Sequence, residues 1–232
     1  FKVSGYDKTP SPLTEALESE GIEIHYEDNI DFVPKSVEDT LVVYTPAIPK
    51  DMGELVYVQE QGYRVIKRSR MLGEITRGQR CMAVAGTHGK TTTSTLTSHL
   101  FTASGAGCSA FLGGISKNYD NNLLIHETDV VVVEADEFDR SFLQLFPEIA
   151  VITSMDADHL DIYGDEAHIV EAFKAFASQV SGTVIARHGL DITVKDTAAK
   201  VMTYSFGDPD ADFWAEPLER GHFNLHWPGG VI

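Results

Sequence analysis

Short apolar runs alternate along this chain with segments that carry an apolar residue at every third or fourth position. Glycine, proline or charged residues punctuate the joins. The short runs predict strands near residues 1–4, 22–26, 40–44 and 64–67. Between them, Pro12 to Glu20 reads as a helix, with Leu13, Ala16 and Leu17 on one side and Gly21 as its stop. Gly53 to Gln61 reads as a second helix that ends at Gly62, and Met71 to Arg77 as a short third one. Strand followed by helix, repeated, implies a parallel sheet with crossover helices. Arg77-Gly78-Gln79-Arg80 then breaks the pattern and suggests a boundary between residues 1–78 and 79–232.

Beyond the break the strands become more apolar. Cys81 to Ala85 is one. Asp129 to Val133 contains four consecutive valines, too apolar for a strand with a wet face, and predicts a strand buried on both sides. Ile149 to Thr153 is the next, and Thr183 to Ala186 another. Glu166 to Val180 predicts an amphipathic helix with Ile169, Val170, Phe173 and Phe176 on its apolar side. Lys174 lies one residue from that face and reads as a solvated lysine. After Gly207 the sequence turns to short β segments.

The chemistry sits where these strands end. Cys81 to Ala85 runs into Gly86-Thr87-His88-Gly89-Lys90-Thr91-Thr92-Thr93, and a Thr-rich helix follows to Gly105. Glycines let backbone N–H groups approach an anion, the helix N-terminus adds its positive end, and a lysine at that place reaches the outer phosphates. Thr91 is placed to offer a hydroxyl to magnesium. The longer pattern G-x-x-x-x-G-K-[ST] is not met, because Val84 stands where its first glycine belongs; the shorter G-T-x-G-K-T form remains. The valine strand delivers Glu134-Ala135-Asp136-Glu137, and the next delivers Asp156-Ala157-Asp158-His159-Leu160-Asp161. If these strands are neighbours, Lys90, Thr91, Glu134 and His159 converge on one crevice. Glu134 then offers magnesium a hard oxygen, and His159 holds a second metal or orients one through water. Asp7 and the Thr45 to Ile48 loop follow strands in the first part and are candidate ligand contacts, although ordinary turn chemistry accounts for the same residues.

Composition narrows the partners. An apolar fraction of 43% suits a globular protein, and no apolar run approaches a membrane span. A formal charge of −17 argues against nucleic acid and leaves any nucleotide phosphate to be held by local cations, amides and metal. Cys81 and Cys108 show no metal spacing and read as reduced thiols of a cytoplasmic protein.

Gly-Thr-His-Gly-Lys-Thr-Thr-Thr, then Glu-Ala-Asp-Glu, then Asp-Ala-Asp-His-Leu-Asp, resembles the Mur ligases, ATP-dependent amide-forming enzymes of peptidoglycan synthesis. Val3 to Asp7, Thr45 to Pro49 and Arg68 to Leu72 resemble segments of the same family, so that the likeness covers nearly the whole chain. It implies an α/β fold: a Rossmann-like parallel-sheet N-terminal domain over 1–78, truncated, then a P-loop ATPase-type parallel-sheet central domain over 79–232, incomplete. It implies that Gly86, Thr87, His88, Gly89, Lys90, Thr91 and Thr92 hold ATP, that Lys90 meets the β- and γ-phosphates, that Thr91 and Glu134 ligate one Mg2+, and that His159 ligates a second. Asp7, Thr45, Ala47 and Ile48 fall to the UDP-sugar.

His88, and the Asp-Ala-Asp-His form, point to the branch that joins L-alanine to UDP-N-acetylmuramate through an acyl phosphate. A branch that attaches a whole tripeptide is the alternative within the family, and a nucleotide-binding switch module the alternative outside it. The family's N-terminal glycine turn and C-terminal amino-acid domain have no counterpart in these residues. The chain alone is therefore expected not to turn over. The resemblance further implies a cytoplasmic monomer or homodimer with small-molecule substrates.

Overall fold

Strand pairing is what selects which apolar runs become strands. The computed structural model describes residues 1–156, 165–195 and 197–232, and the chain folds as two compact units, Phe1–Met71 and Leu72–Ile232. The division falls inside helix α3 (Arg68–Thr76).

The first unit holds two strand–helix–strand turns. Strand β1 (Ser4–Tyr6), helix α1 (Pro12–Ser19) and strand β2 (Glu23–His25) form one, with β1 and β2 parallel. Helix α1 starts where the sequence places it. Ser11 accepts from the Thr14 N–H, the Thr14 hydroxyl oxygen accepts from the Ser11 N–H, and Pro12 opens the first turn. Strand β1 lies further along than expected, because its pairing with Glu23–His25 fixes it while Phe1 and Val3 stay exposed. Strand β3 (Leu41–Tyr44), helix α2 (Gly53–Glu60) and strand β4 (Arg64–Lys67) form the second turn, again parallel. Asp28 caps α2 from a distance in sequence, accepting from Gly53 N–H at 2.7 Å and Glu54 N–H at 2.8 Å. Val33, Leu55, Val58 and Tyr63 make this unit's core.

The second unit is built on a ten-stranded sheet. Its strands are β5 (Arg80–Ala85), β6 (Ser109–Ser116), β7 (Asn121–Leu124), β8 (Val130–Ala135), β9 (Ile149–Ile152), β10 (Thr183–Arg187), β11 (Lys200–Phe206), β12 (Phe213–Pro217), β13 (Phe223–Trp227) and β14 (Gly230–Val231). The order is β14-β13-β12-β11-β10-β9-β5-β8-β6-β7. From β12 to β6 every neighbour is parallel; β7 at one edge and β13 and β14 at the other are antiparallel.

The valine run behaves as its composition demands. Val131, Val132 and Val133 are fully buried, with Val131 and Val133 in one core and Val132 in the other. Helix α4 (Lys90–Ala103) covers the Val132 face, where Phe101 packs. Helix α5 (Glu166–Ser178) covers the opposite one. There Phe142 stacks on Phe176 at 4.9 Å and meets Phe173 edge-on at 5.2 Å between ring centres.

Strands β6, β7 and β11 were not among the sequence expectations. In β6 the pair Gly113-Gly114 hides the strand pattern, since glycine ordinarily weakens a strand interior. Lys174 also departs from expectation. Only 19% of its side chain is exposed, and it donates to Asp191 Oδ2 at 2.7 Å. That hydrogen bond holds its ammonium above the ordinary lysine range.

Candidate functional site

Strand β5 is where the sheet changes direction. The chain leaves it for β6 and β8 on one side and reaches β9 and β10 on the other. In such sheets the crevice at the strands' C-terminal ends takes the ligand. Register brings three ends level there: Ala85 pairs with Ala135 of β8 and with Ile152 of β9. The residues that follow therefore meet.

The glycine loop is locked from the β9 side. Thr153 N–H donates to Ala85 O at 3.0 Å, and the Thr153 hydroxyl donates to the carbonyls of Ala85 and His88. Ser154 Oγ accepts from His88 N–H at 2.9 Å and lies 2.7 Å from Thr87 Oγ1. Thr87 Oγ1 in turn accepts from Asp156 N–H at 3.1 Å. Gly86 has φ 137, and a Cβ there would strike Thr153 Oγ1 and the Ser154 nitrogen, so only glycine fits. Gly89, left-handed at φ 82, stands at the N-cap of α4, which has no side-chain cap and no acidic residue in its first turn. The helix thus presents a loop and an unblocked positive end, the arrangement that suits an anion.

Two charged groups flank the loop. Lys90, first residue of α4, has Nζ 2.8 Å from Gly86 O and 3.0 and 2.8 Å from the two carboxylate oxygens of Glu137. Glu134 on β8 uses both its oxygens: Oε1 accepts from the Thr91 hydroxyl at 3.2 Å and Oε2 from the Gly113 N–H at 2.9 Å. Thr91 and Glu134 together are a hydroxyl and a carboxylate side by side at a helix N-terminus, hard oxygen donors that fit Mg2+ with its waters and phosphate oxygens completing the shell. Among the described residues there is no group of three or more His, Cys, Asp or Glu that could hold a metal. A cleft of about 320 Å³ opens beside Thr91, lined by Leu96, His99, Ile115 and Lys117 among others.

The structure therefore brings Lys90, Thr91 and Glu134 to one crevice with the loop residues Gly86, Thr87, His88, Gly89 and Thr92. His159 lies outside the described residues. Asp7 and Thr45 sit just past β1 and β3 in the first unit and make turn contacts there. Asp7 accepts from Thr9 N–H at 3.1 Å, and Thr45 Oγ1 accepts from Ala47 N–H at 3.1 Å. The Ile48 N–H donates to Thr45 O, and its side chain packs against the first core. Glu137, Thr153, Ser154 and Gly113 were given no role from sequence. The signal for the first was the clustering of carboxylates in Glu134-Ala135-Asp136-Glu137; nothing but position at the end of a predicted strand marked Thr153 and Ser154.

Comparisons with known proteins agree across both units. The chain matches the model of the Mur ligase middle domain over residues 84–229 and that of the Mur ligase family catalytic domain over residues 1–80. It is 49% identical over 243 aligned positions to the UDP-N-acetylmuramate–L-alanine ligase of Porphyromonas gingivalis, covering 100% of this chain and 53% of that protein. It is 59% identical over 180 positions to the ligase of that name from Flavobacterium psychrophilum, covering 77% and 40%. The chain thus spans about half the length of the curated relatives it matches. Among solved structures it is similar in fold to a UDP-N-acetylmuramate:L-alanyl-gamma-D-glutamyl-meso-diaminopimelate ligase from Neisseria meningitides. That match has a TM-score of 0.84 and 23% identity, covering 100% of this chain and 78% of that one. A UDP-N-acetylmuramate-alanine ligase from Thermotoga maritima gives a TM-score of 0.76 and 24% identity, covering 93% and 49%.

Proposed function

The chain belongs to the Mur ligase family, and from that premise we propose that it is the nucleotide-binding part of an ATP-dependent ligase joining L-alanine to the carboxylate of UDP-N-acetylmuramate. The observation that carries the reading is the meeting of Thr91 and Glu134, 3.2 Å apart, beside a glycine loop that bears Lys90 at the start of a helix.

In this reading the backbone N–H groups of residues 86–92 and the ammonium of Lys90 hold the phosphates of ATP. Thr91 and Glu134 hold Mg2+, which when bound neutralises phosphate charge as the γ-phosphoryl group moves. The muramoyl carboxylate attacks that group and ADP leaves as the β–γ P–O bond breaks; the amine of L-alanine then displaces phosphate from the resulting acyl phosphate, losing a proton as the amide forms. His159 is assigned a second metal. Asp7, Thr45, Ala47 and Ile48 are assigned to the UDP-sugar in a first domain over 1–78, with the ATP domain over 79–232. The names of the relatives at 49–59% identity favour alanine over the tripeptide. The reading places the protein in the cytoplasm; among the described residues no helix is long and apolar enough to cross a membrane.

The test joins this chain to the remaining half of the Porphyromonas gingivalis relative and follows phosphate release from Mg-ATP and UDP-N-acetylmuramate. Release with L-alanine, reduced at least about a hundredfold by Lys90→Ala, is expected. Release only with the tripeptide would move the protein to the other branch. A chimera that binds ATP and releases nothing with either substrate would sink the ligase reading.

A further inference from the structure

Glu137 is among the most deeply buried side chains of the protein, 1% exposed, and it carries a carboxylate. Its two oxygens lie 3.0 and 2.8 Å from Lys90 Nζ, whose side chain is 15% exposed. The third neighbour of that ammonium is the Gly86 carbonyl at 2.8 Å. An ammonium has three N–H donors, so these three oxygens match its capacity. These three oxygens occupy all three donors of the lysine, so a phosphate oxygen that joins them takes the place of one.

The two kinds of partner are not equally replaceable. Moving the ammonium off Glu137 would break a charge-assisted, two-oxygen pair inside the protein. Moving it off Gly86 O gives up a hydrogen bond to a neutral carbonyl and gains a charge-assisted one. The backbone supports a fixed carboxylate as well. Just past Glu137, Asp139 and Arg140 are both held left-handed, at φ 50 and 56. That region is uncommon for non-glycine residues, least so for aspartate.

We propose that Glu137 is a positioning residue for Lys90: its buried carboxylate holds the ammonium in the loop before and after nucleotide arrives, and the phosphate chain takes the place of the Gly86 carbonyl. A lysine on a flexible stem would otherwise have to be ordered by the nucleotide itself. The proposal rests on the nucleotide reading of the loop, and its test has one part that does not need nucleotide.

In this chain, the acetylation rate of Lys90 by acetic anhydride is measured by peptide mass spectrometry for wild type and Glu137→Gln. The variant is expected to react at least about tenfold faster, because its lysine has lost the charged partner that held it. Equal rates in two folded proteins would overturn the proposal. If the amide does not sustain the fold, Glu137→Asp keeps the charge, withdraws the carboxylate and carries the same expectation. Affinities for Mg-ATP and AMP are then compared. Glu137→Gln should weaken Mg-ATP about tenfold and leave AMP, which lacks the outer phosphates, unchanged; adding Lys90→Met should cost less than about threefold more. Full Mg-ATP affinity in Glu137→Gln that is lost only in the double variant would show that the lysine needs no positioning. Tighter Mg-ATP binding in Glu137→Gln would make Glu137 a latch instead, and the proposal would fail. Should wild type bind no Mg-ATP, the nucleotide reading falls and the acetylation rates still decide the role of Glu137.

Discussion

Gly113 shows how a site can depend on an atom that is missing. Its N–H holds Glu134 Oε2 at 2.9 Å, and a Cβ built there would stand against the carboxylate of the same residue. That carboxylate is the end of a flexible side chain, so Gly113→Ala is expected to move Glu134 rather than the sheet. The variant should keep its melting temperature within a few degrees while Mg-ATP binding weakens about tenfold or more, read by titration calorimetry. Burial acts in the opposite way on Cys81, which is free, fully enclosed in the core and pushed up to about 12 from an ordinary value of 9.0 by desolvation. A thiol neutral in the folded state and ionised in the unfolded one removes stability as pH rises. Between pH 9 and 12 this one group should lower unfolding free energy by up to about 1.4 kcal/mol per pH unit, with no effect below pH 8. Alkaline denaturation curves of wild type and Cys81→Ala would check it: the variant should lose stability less steeply, and parallel curves would refute the assignment. That Lys90, Thr91 and Glu134 meet was readable, because a glycine loop opening a helix and an acid ending a buried strand are local patterns. Gly113, Thr153 and Ser154 were not readable, because their work is done by backbone groups and short hydroxyls whose partners lie far off in sequence.

At the scale of elements, what could be read followed the strength of the local signal. Helix α1 carries its own capping box and proline, and its start was legible; α2 borrows its cap from Asp28, which only the fold reveals. The four valines announced a strand covered on both faces, whereas β6 carries two glycines in mid-strand and β11 mixes polar with apolar residues. Helix α5 was legible from its apolar stripe, but not the partner of that stripe, the segment around Phe142. That pairing is where this element draws its stability. Phe173 is fully buried against Phe142, and Phe173→Ala removes both the area and the edge-on ring contact. A loss of about 3–5 kcal/mol is expected by chemical denaturation. A loss below about 1 kcal/mol would mean that α5 is held elsewhere.

The whole molecule sets a field that opposes its proposed ligand. The chain carries a formal charge of −17, yet the crevice is read as a site for a polyphosphate anion. Attraction and repulsion here act over different ranges. The favourable part comes from Lys90 and the N-terminus of α4, which lie at the loop itself, with Lys90 partly shielded from water. The unfavourable part comes from acidic residues spread along the chain, Glu15, Glu38 and Asp210 among them. Salt screens exposed charges over a Debye length that shrinks from about 30 Å at 0.01 M to about 8 Å at 0.15 M, and it screens buried contacts much less. Raising NaCl over that range at fixed free Mg2+ should therefore leave the affinity for Mg-ATP unchanged or tighten it by about two- to fivefold. A site that relied on a diffuse basic surface would weaken instead. Titration calorimetry at the two salt concentrations separates the cases, and a marked loss of affinity with salt would show that the local cations do not dominate the binding of the nucleotide.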